Sequence, residues 1–384
     1  MTTRRRANGE GGVRQRPDGR WEASIDLGDQ DGRRRRKFYY GATQAEAVAK
    51  LRAAHARQDA GLPLADERKR TGQFLEHWCS AVLPATVKPA TVSNYRTLLR
   101  THVIPELGSI PLAKLTPEDV ERLLARKRDA GLSPNTVRLI RSVLRRALRD
   151  AERRGDVSRN VAAIVDGPRI PRSDRRSMSE SQARRLLAAS SSDRLGALVA
   201  LLLETGLRKG EALGLRWQDV DIDGRSLHVS RTLSRVDGEL VSSEPKTERS
   251  RRTVPISEQL AARLRSHRRR QLEERLTAGA VWEDFDQVFA TTLGRPLDPS
   301  NVRRAIAHLC AAADVGTWRI HELRHTAASL MLANGAPLYV VSEVLGHSGI
   351  AITKDVYGHL VADERERAIA AVSAALYRTA SSDA

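Results

Sequence analysis

Hydrophobic and polar residues alternate near the beginning of the chain. Between residues 21 and 27 every second residue is hydrophobic and its neighbours are polar, which is the two-residue period of a β-strand. Asp-Gly pairs at 18–19 and 31–32 flank this stretch and are typical of hairpin turns. A helix is predicted over residues 43–58, because its first residues match the Thr-x-x-Glu capping box. We therefore predict three short strands followed by one helix.

The next part of the chain changes to a helical period. Hydrophobic residues recur every three or four positions and predict helices over 73–82 and 90–104, the second ended by Pro105. Thr-Pro at 116–117 and Ser-Pro at 133–134 each place a capping residue before a proline, which is the usual start of a helix. We predict a bundle of four or five short helices here.

The last part of the chain mixes the two periods. Helices are predicted near 179–190 and 194–204. Residues Leu227–Leu233 and Glu239–Ser243 alternate as strands, and an Asp-Gly pair between them predicts a hairpin turn. From Ser257 onwards helical spacing dominates. The predicted fold class is a multidomain, mainly α protein with a small N-terminal three-stranded sheet and an α+β, mostly helical C-terminal part.

Two stretches rich in glycine, proline and charge interrupt these patterns, at 59–72 and 167–176. They divide the chain into three predicted domains. Residues 1–65 contain a basic tail, the strands and one helix, residues 66–170 form the helical bundle, and residues 171–384 form the mixed C-terminal domain.

The chain carries a large excess of positive charge. Its 384 residues include 65 Lys and Arg against 47 Asp and Glu, which gives a formal net charge of +18 and a pI near 10.7. Only nine of these residues are lysines, so the excess is arginine, the better two-pronged ligand of phosphate. A G+C-rich genome would explain arginine over lysine, but it would not explain the net charge. We expect a polyanionic partner, DNA or RNA before a membrane.

The sequence predicts neither a disulfide framework nor a secretory signal. Cys79 and Cys310 are far apart in predicted helices and fit small, buried apolar positions. No run of about 18 apolar residues predicts a membrane span, and the N-terminus lacks the apolar segment of a secretory signal. We expect a cytoplasmic protein that has no membrane partner.

A run of basic residues on the third predicted strand adjoins aromatic residues. Such a run is often only a solvated face, but in so basic a chain the combination of charge and aromatic rings favours contact with DNA. The candidate DNA contacts are Arg33, Arg34, Arg35, Arg36, Lys37 and Tyr39.

The first motif that suggests chemistry is T-G-L-R-K-G-E, from Thr205 to Glu211. Gly206 allows a tight turn into a helix, so Arg208 would lie near a helix N-terminus, where backbone donors bind anions. Glu211, three residues later, can hold the guanidinium group. A purely structural ion pair is the alternative for these two residues.

The second motif, E-P-K-T-E-R-S-R-R-T-V-P-I, begins at Glu244 and follows the predicted hairpin. Lys246 on such a turn over a cleft could deliver a proton. A solvated surface lysine is the alternative.

The third motif is H-E-L-R-H-T, in which His321, Arg324 and His325 have the spacing of one helical face. A cation flanked by two imidazoles suits a phosphate that must be held and protonated. His321, Glu322 and His325 also match the H-E-x-x-H motif of zinc metalloproteases, with Glu343 as a conceivable third ligand. Arg324 on that face would repel Zn²⁺, so we expect no metal.

The fourth motif contains L-G-H-S and, ten residues beyond its histidine, a tyrosine. His347 follows a predicted glycine turn, and Tyr357 lies on a short helix predicted to begin at Thr353. The other five tyrosines fit a strand, a core face or a terminal helix, whereas Tyr357 accompanies the remaining polar residues of these motifs.

In this order the four motifs, with two arginines, a lysine, two histidines and a tyrosine, resemble the tyrosine recombinase (phage integrase) family. The helical segment resembles the core-type DNA-binding domain of that family. The strand module resembles the arm-binding domain of integrases from phages and integrative elements. Two departures are small: Glu322 replaces a more frequent Asp, and the spacing from His347 to Tyr357 is ten residues where many members have nine.

The resemblance implies a reaction. Tyr357 would attack a DNA phosphodiester and form a 3′-phosphotyrosyl bond, which leaves a free 5′-hydroxyl. Lys246 would protonate the departing 5′-oxygen, and His321 would act as general base or acid near the tyrosine. Because the covalent bond keeps the energy of the broken ester, neither ATP nor another cofactor is required.

The resemblance also implies how the phosphate is bound. Arg208 and Arg324 would hold its non-bridging oxygens as negative charge increases, an electrostatic effect expected to be large. His347 would donate a hydrogen bond to the phosphate, Glu211 would support Arg208, and His325 would be structural.

The function that follows is a site-specific DNA recombinase that integrates and excises a phage or integrative element. We expect a homotetramer on double-stranded core-type and arm-type attachment sites, with an excisionase and a host DNA-bending protein as further candidate partners. Two alternatives are a chromosome-dimer-resolving recombinase, which residues 10–60 argue against, and a catalytically silent DNA-binding regulator, which the full residue set argues against. The C-terminal residues that could pack onto a neighbouring copy are Ile369, Val372, Leu376 and Tyr377.

Overall fold

Described residues cover most of the chain in this computed structural model. They are residues 12–30, 33–59, 68–170, 176–244, 251–347, 349–351, 354 and 372–373; the side chains of residues 27–30, 33–35 and 57 are not included. The chain divides into one unit of Met1–Pro171 and a second of Arg172–Ala384. The fold is mostly helical with a small N-terminal three-stranded sheet, which confirms the predicted fold class. Among the described helices, none is long and apolar enough to cross a membrane.

The N-terminal module has the predicted order of three strands and a helix. Its antiparallel sheet has the order β1-β2-β3, and its helix packs on one face of that sheet through a small core of its own. The elements are β1 (Gly12–Gln15), β2 (Trp21–Gln30), β3 (Arg33–Gly41) and α1 (Gln44–Asp59). The start of α1 is capped as predicted, because the Thr43 hydroxyl accepts a hydrogen bond from the Glu46 amide at 3.2 Å.

The alternation of side chains along β3 places Tyr39, one of the predicted DNA contacts, on the buried face of the sheet. Tyr39 lies opposite Ala23 of β2 and faces α1, so it is buried in the core of the module. Phe38 and Tyr40 point to the other face, where they are 45% and 42% exposed. The aromatic surface next to the exposed Arg36 is therefore formed by Phe38 and Tyr40 and not by Tyr39. Lys37 lies on the side of Tyr39, with its ammonium 5.8 Å from that ring.

A bundle of short helices follows. Two of its helices continue into π-helical turns, at Trp78–Val82 and Leu99–Val103. The α-helices are α2 (Thr71–His77), α3 (Pro89–Leu98), α4 (Ile104–Leu107), α5 (Pro117–Asp129), α6 (Pro134–Arg153) and α7 (Val161–Ile164). The predicted caps of the two longest helices are confirmed: Thr116 accepts from the Asp119 amide and Ser133 from the Thr136 amide.

The predicted end of the second helix at Pro105 is wrong. The Ile104 amide donates to the Leu99 carbonyl in a π-turn, and helical structure resumes as α4 with Pro105 in its first turn. A proline is tolerated in a first turn because no intrahelical acceptor requires its missing N–H. The regular α-helical hydrogen bonding is therefore interrupted before Pro105, at Leu99–Val103, and the helical segment ends at Leu107.

The core of the bundle is apolar. Along α6 the residues that face inward are 2% exposed or less, and Trp78 beside them donates its indole N–H to Asp150 at 2.8 Å. The inward residues are Val137, Ile140, Val143, Leu144, Ala147, Leu148 and Ala151. Each large side chain buried here contributes about 1.5–3 kcal/mol relative to an exposed position.

The second unit combines helices with two small sheets. Strands β4, β5 and β8 form one antiparallel sheet and β6 and β7 form a separate hairpin. The strands are β4 (Val220–Asp221), β5 (Ser226–Val229), β6 (Thr232–Val236), β7 (Glu239–Ser243) and β8 (Arg252–Pro255). The helices are α8 (Glu180–Ala189), α9 (Gly196–Thr205), α10 (Lys209–Gly214), α11 (Glu258–Ala278), α12 (Pro299–Ala312), α13 (Ile320–Ala333) and α14 (Leu338–Leu345).

The predicted strand Leu227–Leu233 is two strands. β5 pairs with β4 and β8, whereas β6 pairs with β7 after a break at residues 230–231. The buried residues Leu227, Val229 and Leu233 are all an even number of positions apart, so the hydrophobic period alone could not reveal the change of pairing partners. The predicted turn at Asp237-Gly238 is confirmed, and both residues have positive φ.

The β6–β7 hairpin packs closely on α10. A Cβ atom on Gly210 would lie 2.4 Å from the Thr232 hydroxyl, and one on Gly214 would lie 3.1 Å from the Leu233 amide. Only glycine at these positions lets the strand approach so near, and the contact fixes the helix that begins after Arg208.

Candidate active site

The turn that carries Arg208 has the predicted form. Helix α9 ends at Gly206, which is left-handed with a φ of 62°. This turn directs the chain into α10, and Arg208 is the residue that immediately precedes that helix. Its side chain is 41% exposed, so one side of the guanidinium group is available to an anion from solvent.

Glu211 holds Arg208 in place. Its carboxylate accepts hydrogen bonds from Arg208 Nη1 at 2.7 Å and from the Arg208 amide at 3.0 Å. The side chain is 4% exposed and also accepts from Arg252 Nη2 at 3.1 Å. Burial acts to raise the pKa of Glu211, but the charges and hydrogen bonds of Arg252 and Arg208 outweigh it and leave the pKa below its ordinary value. Glu211 is therefore ionised at neutral pH.

Arg324 joins three helices. It lies on α13 and is 3% exposed. Its Nη1 donates to the Gly206 carbonyl at 2.7 Å, and its Nη2 donates to the Leu345 carbonyl at 2.8 Å. The guanidinium group therefore binds the ends of α9 and α14 and is held in one orientation.

The C-terminus of α14 gathers three arginines. The carbonyls of Val344, Leu345 and Gly346 accept from Arg252 Nε at 2.6 Å, Arg324 Nη2 at 2.8 Å and Arg208 Nη2 at 3.1 Å, respectively. The last carbonyls of a helix have no partner within the helix and carry the negative end of its dipole. The helix end thus brings three cations together and fixes their positions.

The three histidines lie on the same two helical segments. His347 follows Gly346 directly, is partly buried, and donates its main-chain N–H to the Ser342 carbonyl at 3.1 Å. His321 is exposed in the first turn of α13, three residues before Arg324. Its ring lies 4.9 Å from that of His325 in an edge-to-face arrangement.

The metalloprotease alternative does not fit the observed contacts. The Glu322 carboxylate accepts from the Arg319 amide at 2.7 Å and caps the start of α13. Arg324 lies between the two imidazoles in sequence and is bound to carbonyls on the adjoining helix ends. In the part of the chain that the structure describes, no three His, Cys, Asp or Glu side chains are grouped as metal ligands.

The structure brings Arg208, Glu211 and Arg324 together at the end of α14, next to His347. Two predicted residues, Lys246 and Tyr357, lie outside the described residues, and their roles stay predictions. The same holds for the side chains of the basic residues at 33–35.

Arg252 was missed by the sequence reasoning. It is the first residue of β8 and lies opposite the buried Val229, two residues before the buried Val254. An arginine at an inward position of a short strand requires buried partners, and this was the signal that the sequence offered.

Comparison with known families gives two matches within the chain. Residues 176–364 match the phage integrase family, and residues 72–127 match the N-terminal SAM-like domain of phage integrases.

Two proteins are similar to nearly the whole chain. One, named tyrosine recombinase XerC-like, comes from Caldanaerobacter subterraneus subsp. tengcongensis and is 30% identical over 369 residues, which cover 91% of this chain and 94% of that protein. The other is an integrase from Streptomyces ambofaciens that is 33% identical over 369 residues, 92% of this chain and 93% of that protein.

Solved structures share the fold. A Tn1549 transposon integrase in complex with transposon right end DNA has a TM-score of 0.64 at 22% identity and covers 78% of this chain and 99% of that chain. A lambda integrase tetramer bound to a Holliday junction has a TM-score of 0.54 at 19% identity and covers 92% of this chain and 96% of that chain.

Proposed function

This chain belongs to the phage integrase family of tyrosine recombinases, and from that membership we propose that Tyr357 forms the covalent bond to DNA. The protein is a site-specific DNA recombinase of the integrase type. The observation that carries the proposed chemistry is the meeting of Arg208, Arg324 and Arg252 on three successive carbonyls beside His347.

The proposed reaction moves one phosphoryl bond. The Tyr357 oxygen attacks the scissile phosphorus while its proton passes to His321, and the bond from phosphorus to the 5′-oxygen breaks. Lys246 gives a proton to that oxygen, which leaves as a hydroxyl. The reverse sequence, with the 5′-hydroxyl of another strand as nucleophile, rejoins the DNA. No cofactor takes part, because the phosphotyrosyl ester keeps the energy of the broken bond.

Arg208 and Arg324 stabilise the charge on the two non-bridging oxygens. Their guanidinium groups are held by backbone carbonyls before DNA binds, so little reorganisation is needed during the reaction. His347 adds a hydrogen bond to the same phosphate, Glu211 keeps Arg208 oriented, and His325 packs against His321.

We assign DNA binding to three domains, 1–65, 66–170 and 171–384. The helical bundle would bind core-type sites. The strand module would bind arm-type sites through the exposed face that carries Phe38, Tyr40 and Arg36. Salt should weaken this binding steeply, because each arginine on phosphate releases counterions.

We further propose that the active assembly is a homotetramer. The similar lambda integrase forms a tetramer on a Holliday junction. In the present chain Val372, one of the C-terminal residues predicted to pack onto a neighbouring copy, is 56% exposed. An excisionase and a host DNA-bending protein would set the direction of recombination.

A chromosome-dimer-resolving role is the second candidate, since one relative is named XerC-like. The strand module at 12–59 favours an integrase, because a resolvase would not need an arm-binding domain. Deletion of residues 1–65 distinguishes the two: integration should be abolished while cleavage of a core site is retained. Integration that survives this deletion would contradict the arm-binding assignment.

The test of the reaction uses a nicked duplex. The DNA site is first selected from random sequences by binding to the full-length protein, and a nick placed next to the scissile phosphate traps the intermediate. We expect a covalent protein–DNA adduct with the wild type and none with Tyr357→Phe. An undiminished adduct with Tyr357→Phe, or none with the wild type, would overturn the proposal.

A further inference from the structure

Arg252 connects three parts of the second unit. Its Nη2 donates to the Glu211 carboxylate at 3.1 Å and its Nε donates to the Val344 carbonyl at 2.6 Å. The side chain is 8% exposed. One arginine from β8 therefore joins the glutamate of α10 to the end of α14.

The surrounding backbone is shaped to hold this guanidinium group. Gly346 is left-handed with a φ of 63°, and a Cβ atom placed on it would lie 2.6 Å from Arg252 Nη1 and 2.9 Å from its Cζ. The guanidinium group thus fills the space above a glycine peptide. The Gly346 carbonyl in turn accepts from Arg208 Nη2, so the two arginines share one anchoring turn.

Arg252 and Arg208 also share Glu211. One carboxylate oxygen accepts from Arg208 Nη1, and the other accepts from the Arg208 amide and Arg252 Nη2. A buried carboxylate is costly unless it is fully paired. Without Arg252, Glu211 would keep only its contacts with Arg208 among these bonds, and both side chains would be free to shift.

We propose that Arg252 is a positioning residue for DNA cleavage, which fixes Glu211 and the α14 turn so that Arg208 meets the scissile phosphate. This inference rests on the proposed function. Arg252 acts through Glu211 and the backbone and does not touch the reacting atoms. A misplacement of Arg208 by about 1 Å is enough to slow cleavage by about 10²-fold.

The first experiment measures cleavage and binding separately. Arg252→Gln should lower the single-turnover rate of adduct formation on the nicked duplex by about 10²-fold, with the dissociation constant for the same DNA nearly unchanged. Arg252→Lys keeps the charge but cannot span two acceptors with a planar fork, so it should retain part of the rate. Arg265→Gln, which removes a surface arginine paired with Asp223 and Glu258, is the matched control.

A double-mutant cycle tests whether Arg252 acts through Glu211. Glu211→Gln and Arg252→Gln should each slow adduct formation, and the double variant should be no slower than the worse single variant. If the double variant is instead slowed by the product of the two single factors, the two residues act independently, and the proposal that Arg252 acts through Glu211 is overturned. Thermal unfolding of every variant shows whether a lower rate comes only from a loss of folded protein. If Arg252→Gln is unfolded, the rate of Arg252→Lys is measured in its place.

The outcomes separate this inference from the proposed function. No adduct with the wild type contradicts the function itself. An adduct with the wild type and none with Tyr357→Phe, together with a normal rate for Arg252→Gln, upholds the function and rejects the positioning role. If Arg252→Gln loses rate and DNA affinity by the same factor, Arg252 acts in DNA binding, and the positioning role is rejected.

Discussion

The helical bundle and the second unit differ in what they bury. The bundle buries large apolar side chains such as Trp78, Ile140 and Leu144. The second unit has a large apolar core too, yet it also buries Glu211 and Arg324. Burial of a charged group lowers stability unless its hydrogen bonds are satisfied. The comparison indicates that the bundle is built for stability and that the second unit gives up some stability to hold charges for chemistry.

The largest effect should come from the buried cation. Arg324→Gln should slow adduct formation by about 10³-fold, or about 4 kcal/mol, because one of the two fixed donors to the phosphate is lost. Stability should fall by less, about 1–3 kcal/mol, because the Gly206 and Leu345 carbonyls lose the donor that Arg324 supplies. Single-turnover cleavage and thermal unfolding measure the two effects. If Arg324→Gln loses stability but cleaves normally, the buried arginine serves stability and not chemistry, and the contrast with the bundle is wrong.

The bundle should respond in the opposite way. Leu144→Ala leaves a cavity at a residue that is fully buried, and it should lower the free energy of unfolding of the bundle by about 3 kcal/mol. The rate of adduct formation at saturating DNA should stay unchanged. Native-state hydrogen exchange of α6 amides reports the stability, and Leu139→Ala, at an exposed position on the same helix, is the control. Equal protection in the two variants would break the comparison.

Acid should weaken the second unit through His267 of α11. This side chain is 2% exposed and its Nε2 lies 2.7 Å from the Val288 carbonyl. Burial lowers its pKa, and the charges of Arg270 and Arg194 lower it further. The folded state therefore binds a proton less readily than the unfolded state, whose histidine has the ordinary pKa of 6.5.

The contribution of His267 to stability is complete above pH 6.5 and decreases as the pH falls below it, by at most about 1.4 kcal/mol per pH unit. Hydrogen exchange of α11 at pH 7.0 and 5.5 checks this, once rates are corrected for the intrinsic effect of pH. His267→Gln should remove the histidine part of the dependence. An identical dependence in that variant would assign it to other groups.

The smallest effect concerns a helix cap in the bundle. Thr116→Ala removes the hydroxyl that accepts from the Asp119 amide and should lower stability by about 1 kcal/mol. Thr116→Ser keeps the acceptor and should cost much less. Exchange at the first turn of α5 distinguishes the two variants, and equal protection would show that the cap adds nothing measurable.

Local sequence signals predicted local structure. The caps at Thr116 and Ser133, the turn at Asp237-Gly238 and the turn at Gly206 each depend on a few neighbouring residues, and each appears in the structure. The pairing of Arg208 with Glu211 also followed from their spacing of three residues. The part of the candidate site around Arg208 and Glu211 could therefore be predicted.

The features that sequence reasoning missed depend on distant partners. The break between β5 and β6 requires β8, which lies more than twenty residues further along the chain. The inward side of Tyr39 depends on where α1 packs. The Val344 carbonyl that accepts from Arg252 lies 92 residues further along the chain, on α14. None of these partners is encoded in a local period.

The left-handed glycines Gly206 and Gly346 limit how the protein can evolve. The Gly206 carbonyl accepts from Arg324 and the Gly346 carbonyl accepts from Arg208, so each glycine binds one of the two arginines. A Cβ atom would lie 2.5 Å from Leu345 Cδ2 in one case and 2.6 Å from Arg252 Nη1 in the other. At Gly206 and Gly346, the positive φ and the lack of space for a Cβ atom each exclude other residues. Gly335 also has a positive φ but has nothing within 4 Å of a Cβ atom, so this position would accept Asn. A mutant library selected for recombination should retain glycine at the first two positions and vary at the third.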